Sequence, residues 1–170
     1  MKSKFEDNTL SSGTVYQLNV KPRLKGERGI PKYKTDTLFV SHTGANRDYN
    51  HHRSTKDDNN LNKALLLLPI ETIESLRSES WPVEPGDLGE NITTSGIRYS
   101  EFKVGLKFKA GSVTFQISEE NTPCTVLHNL HYVGKDKVNR FVRTMMGRRG
   151  WYASVIETGE IQVGDSIHIL

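Results

Sequence analysis

The segment EENTPCTVLHNLH, residues 119–131, carries the one cysteine of a 170-residue chain, Cys124. A lone thiol excludes an internal disulfide and leaves three roles: a buried small hydrophobe, a reactive nucleophile or a metal ligand. Pro123 fixes its own φ and holds Thr122 extended, so backbone freedom is removed just before the sulfur, as a positioned ligand requires. Thr122 and Thr125 offer hydroxyls at the same spot. His128, four residues on, would share a helical face with Cys124 and invites a Cys–His nucleophilic pair. The sequence supplies neither an orienting acid nor an oxyanion hole for that pair.

A second constellation is GRRGWY, residues 147–152, which sets Arg148 and Arg149 between glycines at the end of a predicted helix. Guanidinium forks match phosphate oxygens, and flanking glycines let a backbone approach a ligand closely. The same arginines would also suit the negative end of a helix dipole. RGIPK offers a similar Gly-flanked cation in Lys32. His51 and His52 are adjacent, with Asp57 and Asp58 nearby. Side chains of neighbouring residues diverge on an extended chain and do not match zinc-ligand spacing, so polar loop residues are expected, one of them touching an anion.

Charge is uneven along the chain. Lys21 to Lys63 holds ten Lys/Arg against five Asp/Glu, a balance of +5. Ala64 to Val104 holds three against seven, a balance of −4, and Lys135 to Arg149 holds six against one, again +5. Two basic segments flanking an acidic one are expected to build one anion-binding region from distant stretches. No recognition-helix or RNA-binding signature accompanies them, so nucleic acid is not an expected partner.

The elements that must position these residues read as short and mostly β. GTVYQLNV is a strand, KPRLKGERGIPK a loop, and TDTLFVSH a strand with Leu38 and Val40 on one face. Residues 44–63 are polar and lack periodicity, so they read as a long loop of functional character. ALLLL is a buried strand, and PIETIESLRSE a short helix with Ile70, Ile73 and Leu76 on one side. WPVEPGDLGENITTSG is punctuated by proline and glycine. GLKFKAGSVTFQIS is a hairpin turning at Gly111, and KDKVNRFVRTMMG is a helix with Val138, Phe141, Val142 and Met145 as its stripe. The C-terminus gives short strands joined at Thr158-Gly159 and Gly164-Asp165. Two or three helices among many short strands predict a mainly β fold, a barrel or tightly curled sheet. Residues 1–170 are expected to form a single domain after a flexible tail over 1–12. The N-terminus lacks the apolar run of a signal peptide, and no stretch is long enough to span a membrane; a cytoplasmic protein, monomer or homodimer, is expected.

Taken together, EPGDLGENITTSGI, TPC and MGRRGWYASVIETGEIQVGDSI, in that order and spacing, resemble the MOSC domain family. This is the module at the C-terminus of molybdenum cofactor sulfurases, also found as small stand-alone bacterial proteins. It is similar to the domain of the mitochondrial amidoxime-reducing components. The resemblance runs from about Gly13 to Leu170. It implies a β-barrel of the MOSC type with peripheral helices, and a cysteine that ligates molybdenum or carries sulfur, here Cys124. It implies the molybdenum cofactor, a molybdopterin whose phosphate is held by basic side chains; Lys32, Arg148 and Arg149 are the best matches. Asn91 and Thr93 of GENITT, with Thr122, would line the pocket. Many relatives carry a GDRHHG-like stretch where this chain has GANRDYNHHRSTKDDNN, so Arg47, His51, His52 and Arg53 are expected to replace those contacts. The implied activity is reduction of a small N-hydroxylated (N–O) substrate. A single cysteine cannot hold an iron–sulfur cluster, so electrons would come from a separate reductase. The alternative is a sulfur carrier or cofactor-handling accessory with a persulfide on Cys124; a further one is a non-catalytic anion-binding module.

Overall fold

Strands too short to bury a face alone are stabilised here by closing on one another. The computed structural model describes residues 11–26 and 28–170, with the side chain of His51 outside the described residues. In chain order the strands are β1 (Ser12–Val20), β2 (Tyr33–Thr35), β3 (Thr37–Ser41), β4 (Gly44–Ala45), β5 (Leu65–Pro69), β6 (Ile92–Ser95), β7 (Lys107–Ala110), β8 (Val113–Glu120), β9 (Trp151–Glu157), β10 (Gly159–Gln162) and β11 (Ser166–Ile169). The helices are α1 (His51–Lys56), α2 (Ile70–Ser78) and α3 (Gly134–Thr144). Strands β11-β7-β8-β9-β5-β6-β1 form a sheet that closes by pairing β1 with β11, a seven-stranded barrel. Strand β2 pairs with the far end of β1, and β10-β3-β4 form a second sheet. The pair β5–β6 is parallel, with α2 as the crossover between them.

The run of leucines in β5 shows how one strand serves two cores. Leu65 and Leu67 face the barrel interior with Val15, Leu18, Ile92, Phe108, Phe115 and Ile167. Leu68 points the other way, into a cluster that packs α2 and α3 against the barrel through Ile73, Leu76, Leu127, Phe141 and Met145. Successive side chains alternate across a strand, so this division follows from the pleat. The mainly β expectation with three short helices therefore holds. The hairpin at Gly111, the exposed Phe39 between buried Leu38 and Val40, and the stripe of α3 are also as the periodicity predicts. Among the described residues no helix is long and apolar enough to cross a membrane.

Two expectations need correction, and one segment without a predicted element is a strand. The segment 44–63 is not a featureless loop: it contains β4, α1 and a 3₁₀ turn at Leu61–Lys63. Helix α1 starts where the Asn50 side chain accepts from Arg53 N at 3.0 Å, a local cap that hydrophobic periodicity does not register. The stretch ITTS inside the Gly/Pro-punctuated region is strand β6, buried on both sides. Of the tail expected over 1–12, residues 1–10 lie outside the described residues, whereas Ser12 opens β1.

Candidate functional site

A cavity of about 680 Å³ lies where β5, the end of β8 and the start of β9 meet the loop before β2. That volume falls in the range of small-molecule and cofactor sites. Its walls combine apolar groups (Ile30, Leu66, Leu88, Val126) with cations (Arg28, Lys32, Lys56, Lys63, Arg149) and carry Thr122, Cys124 and Tyr152.

Cys124 is exposed on this wall, so the sulfur is not a core hydrophobe. Its backbone is extended (φ −141°) and ends the β-like run that Pro123 imposes; the chain then turns into the 3₁₀ segment Thr125–Asn129. Arg149 Nη1 donates to Cys124 Sγ at 3.5 Å. Arg149 is only 6% exposed, and its Nε is buried without a hydrogen-bond partner. A buried guanidinium N–H left open next to a thiol is costly unless something accepts from it. Asn121 holds this arginine in place: its N–H donates to Gly150 O at 2.8 Å and its Nδ2 to Arg149 O at 3.5 Å. Gly150 has φ +100°, and a Cβ there would come within 2.4 Å of Leu67 O. The glycine after Arg149 thus permits close approach to the neighbouring strand, not to a ligand.

Register irregularities between Ile117 and Glu119 rotate the end of β8 and place Glu119 opposite Tyr152 of β9, both on the cavity wall. Lys63 reaches across to pair with Asp57 at 3.0 Å and Glu119 at 3.6 Å, and its Nζ lies 5.6 Å over the Tyr152 ring. Partial burial opposes the lysine's charge, but the hydrogen bond to Asp57 and the charge of Glu119 outweigh it and hold its pKa above the ordinary value. Burial pushes the Tyr152 hydroxyl up, so it stays protonated at neutral pH.

Of the residues singled out in the sequence, Lys32, His52, Thr122, Cys124 and Arg149 line the cavity. Lys32 does so as half of a buried ion pair, Nζ to Asp48 Oδ2 at 2.6 Å. The others are elsewhere. Arg47 lines a separate depression with Phe39, Ser112 and Glu160. Arg53 turns inward to donate from Nη1 to Lys63 O at 3.2 Å. Asn91 and Thr93 lie buried behind the wall. Asn91 Oδ1 accepts from Leu66 N at 3.1 Å and its Nδ2 donates to Asp48 at 2.9 Å; Thr93 Oγ1 donates to Glu90 at 3.0 Å. His51 falls outside the described side chains. His128 Nδ1 donates to Thr125 O at 2.6 Å, which does not make the Cys–His pair.

Arg148 is the clearest correction. Its guanidinium is clamped by both oxygens of Glu79, at 2.5 and 3.0 Å, and by Ser75 Oγ at 3.0 Å, at the end of α2. Adjacent side chains in a turn diverge, so Arg149 enters the cavity and Arg148 cannot follow. Because Glu79 is exposed and Arg148 only partly covered, Arg148→Ala is expected to cost about 1 kcal/mol and to leave the rate of Cys124 alkylation unchanged. Urea unfolding and iodoacetamide kinetics check both.

A family model described as "MOSC domain" matches residues 41–168, well over half of the chain. The chain belongs to the MOSC domain family. The MOSC family is one associated with the molybdenum cofactor. Among curated proteins the chain is similar to a "Reductase" of Gibberella moniliformis, 35% identical over 95 residues that cover 52% of this chain and 16% of that protein. It is also similar to protein YiiM of Escherichia coli, 30% identical over 82 residues that cover 48% of this chain and 35% of YiiM. The chain therefore spans well under half the length of these two relatives. The fold is shared with the YUAD protein of Bacillus subtilis, at TM-score 0.75 and 19% identity over 93% of this chain and 95% of that one. It is shared too with the crystal structure of Escherichia coli YiiM, at TM-score 0.66 and 20% identity over 93% and 69%. Within this MOSC barrel the sequence reading missed Lys63, Glu119 and Tyr152. The dense basic segment contained Lys63, but only the shifted register of β8 on β9 brings the other two to it.

Proposed function

We propose that this MOSC protein binds the molybdenum cofactor in the cavity beside Cys124 and reduces small N-hydroxylated compounds. One observation carries the reading: the buried Arg149 has one N–H on the thiol and another with no acceptor, inside a cavity of cofactor size. An anionic pterin beside a thiolate would satisfy both groups. Among the described residues no set of three or more His, Cys, Asp or Glu converges as a metal site. A metal held through Cys124 would draw its other ligands from a cofactor, and a dithiolene pterin supplies them. Arg28 and Lys56, exposed on the wall, would meet the phosphate, with Lys32 behind them already neutralised by Asp48.

The cofactor, when bound, supplies oxygen-atom transfer chemistry. The chain's own groups orient and exclude water. Leu66, Leu88 and Val126 give the guest an apolar wall, and Tyr152 keeps a hydroxyl proton at the cavity. Each N–O bond cleaved consumes two electrons and two protons and releases amine and one water. These 170 residues, with one cysteine, hold no iron–sulfur cluster, so the electrons are delivered to the cavity from outside them.

Expression in a host that makes the cofactor tests this. Wild type is expected to retain molybdenum and pterin, and Cys124→Ser to lose at least about tenfold in retained metal, the size of effect expected for a lost ligand. Equal retention by both removes the thiol from the metal. Exposure of Cys124 favours a second reading, in which the thiol accepts one sulfur from a persulfide donor and leaves that donor as a thiol. An adduct of about 32 Da on Cys124 without molybdenum would select it.

A further inference from the structure

The second basic segment is not spent on the cavity: of its six cations only Arg149 reaches it. Arg148 is neutralised by Glu79, and the other four lie on α3. Lys135, Lys137, Arg140 and Arg143 are all exposed, while Val138 and Phe141 of the same helix, and Met145 that caps it, are buried in the second core. Asp136 is the one acid on α3. Among the described residues no carboxylate pairs with Lys135, Lys137 or Arg143. Arg140 is held over the ring of Trp81, 4.7 Å from its centroid, so one of the four is fixed in place. Lys137–Arg140 and Arg140–Arg143 are like-charge pairs at i, i+3, which cost the helix a little and which an acidic partner would relieve.

The position of α3 matters as much as its charge. It packs on the 3₁₀ turn Thr125–Asn129, which starts directly after Cys124 and contributes Val126 to the cavity. We propose that the outer face of α3 is the docking surface for an acidic electron-carrier protein, delivered beside the Cys124 turn. The assignment of an electron carrier rests on the reductive reading above. The charge complementarity does not. A membrane is disfavoured by the same helix: its apolar stripe is already buried, which leaves nothing to insert among lipids. Single-stranded nucleic acid is disfavoured because no exposed aromatic lies on α3 to stack a base. Four cations along a helix about 16 Å long match the small, salt-sensitive footprint of a transient redox encounter.

The test uses a plant-type [2Fe–2S] ferredoxin and a flavodoxin as acidic probes, with binding measured by calorimetry at low and high ionic strength. Wild type is expected to bind at least one of them, more weakly as salt rises. The double variant Lys135→Glu/Arg143→Glu is expected to weaken that binding at least about tenfold. Lys103→Glu/Lys107→Glu, on exposed positions away from α3, is expected to change it less than about twofold. Thermal unfolding of each variant confirms the fold. The proposal is overturned if neither carrier binds wild type or if both double variants behave alike. It is also overturned if an oligonucleotide or phosphatidylserine vesicles bind as tightly with the same dependence on Lys135 and Arg143. Cys124→Ser separates the two readings, since it should lose metal and keep carrier binding. Wild type that retains no molybdenum yet docks through α3 sinks the cofactor assignment alone. Retained molybdenum with no effect of charge reversal sinks the docking surface alone.

Discussion

Asp48→Ala is expected to cost about 3–5 kcal/mol of stability, the range for breaking a buried ion pair from one side. Asp48 Oδ2 accepts from Lys32 Nζ at 2.6 Å and from Asn91 Nδ2 at 2.9 Å, and Oδ1 accepts from Lys21 N at 2.8 Å. The Lys32 and Asp48 side chains are 3% and 6% exposed. One carboxylate thereby ties together the chain leaving β1, the loop entering β2, the turn after β4 and the approach to β6. Its removal would leave the Lys32 ammonium and the N–H groups of Lys21 and Asn91 without the acceptor they share. The reverse change, Lys32→Met, should cost less, because Asp48 keeps two donors. Adding Lys32→Met to Asp48→Ala is expected to restore at least half of the loss, since the uncompensated charge is gone. Urea unfolding of the two single variants and the double variant gives the coupling directly. A loss below about 1 kcal/mol for Asp48→Ala, or no recovery in the double variant, would contradict the account. The site is affected as well: Lys32 lines the cavity, so loss of its partner should expose an extra cation to any bound anion.

Glu90→Gln is expected to stabilise the protein by about 3 kcal/mol at pH 8 and to change little near pH 4.5. Glu90 is fully buried, and its pKa is pushed up to about 7 from an ordinary 4.5. Burial is the main cause, with the charge of Asp87 adding to it. Hydrogen bonds from the backbone of Gly86 and Glu90 and from the Thr93 hydroxyl oppose the rise without cancelling it. One oxygen accepts from Gly86 N at 2.6 Å and from Thr93 Oγ1 at 3.0 Å, whereas Oε2 has no partner. The sign follows from proton binding. Between the two values the native protein holds a proton that the unfolded chain has released, so stability falls as pH rises through that window and is lowest above about 7. The raised pKa corresponds to about 3 kcal/mol at 1.36 kcal/mol for each pKa unit. Glutamine repeats the neutral carboxyl's shape and cannot ionise, so the variant should lack this slope. Chemical denaturation at several pH values compares the two, and parallel curves would show that Glu90 does not titrate with folding. The turn carrying Glu90 also supplies Leu88 and Gly89 to the cavity, so its neutral state bears on the shape of that wall.

Much of the architecture was legible in residue order because it rests on local rules. Alternation in TLFVS and KFKAGSVTF marks strands, the 3.6-residue stripe of KVNRFVRTM marks α3, and glycine positions mark the turns. The chemistry of Cys124 was legible as far as its type and its proline allow, and the motif order pointed to the family. What local pattern could not decide was direction. Arg148 and Arg149 are identical in type and adjacent, yet one is clamped at the end of α2 and the other is buried against the thiol. Charge counting treats Lys32 and Lys63 as free cations, while folding gives them Asp48, Asp57 and Glu119 as partners from other elements. Tyr152 meets Glu119 only because β8 shifts register on β9. The amino-acid order by itself determined most of the strands and the helices α2 and α3, since those choices depend on neighbours within a few residues, whereas β4, α1 and β6 carry no such local pattern. Only the tertiary structure decided which charges face the cavity and which cancel one another, because ion pairing and burial depend on groups that meet through space after the barrel closes.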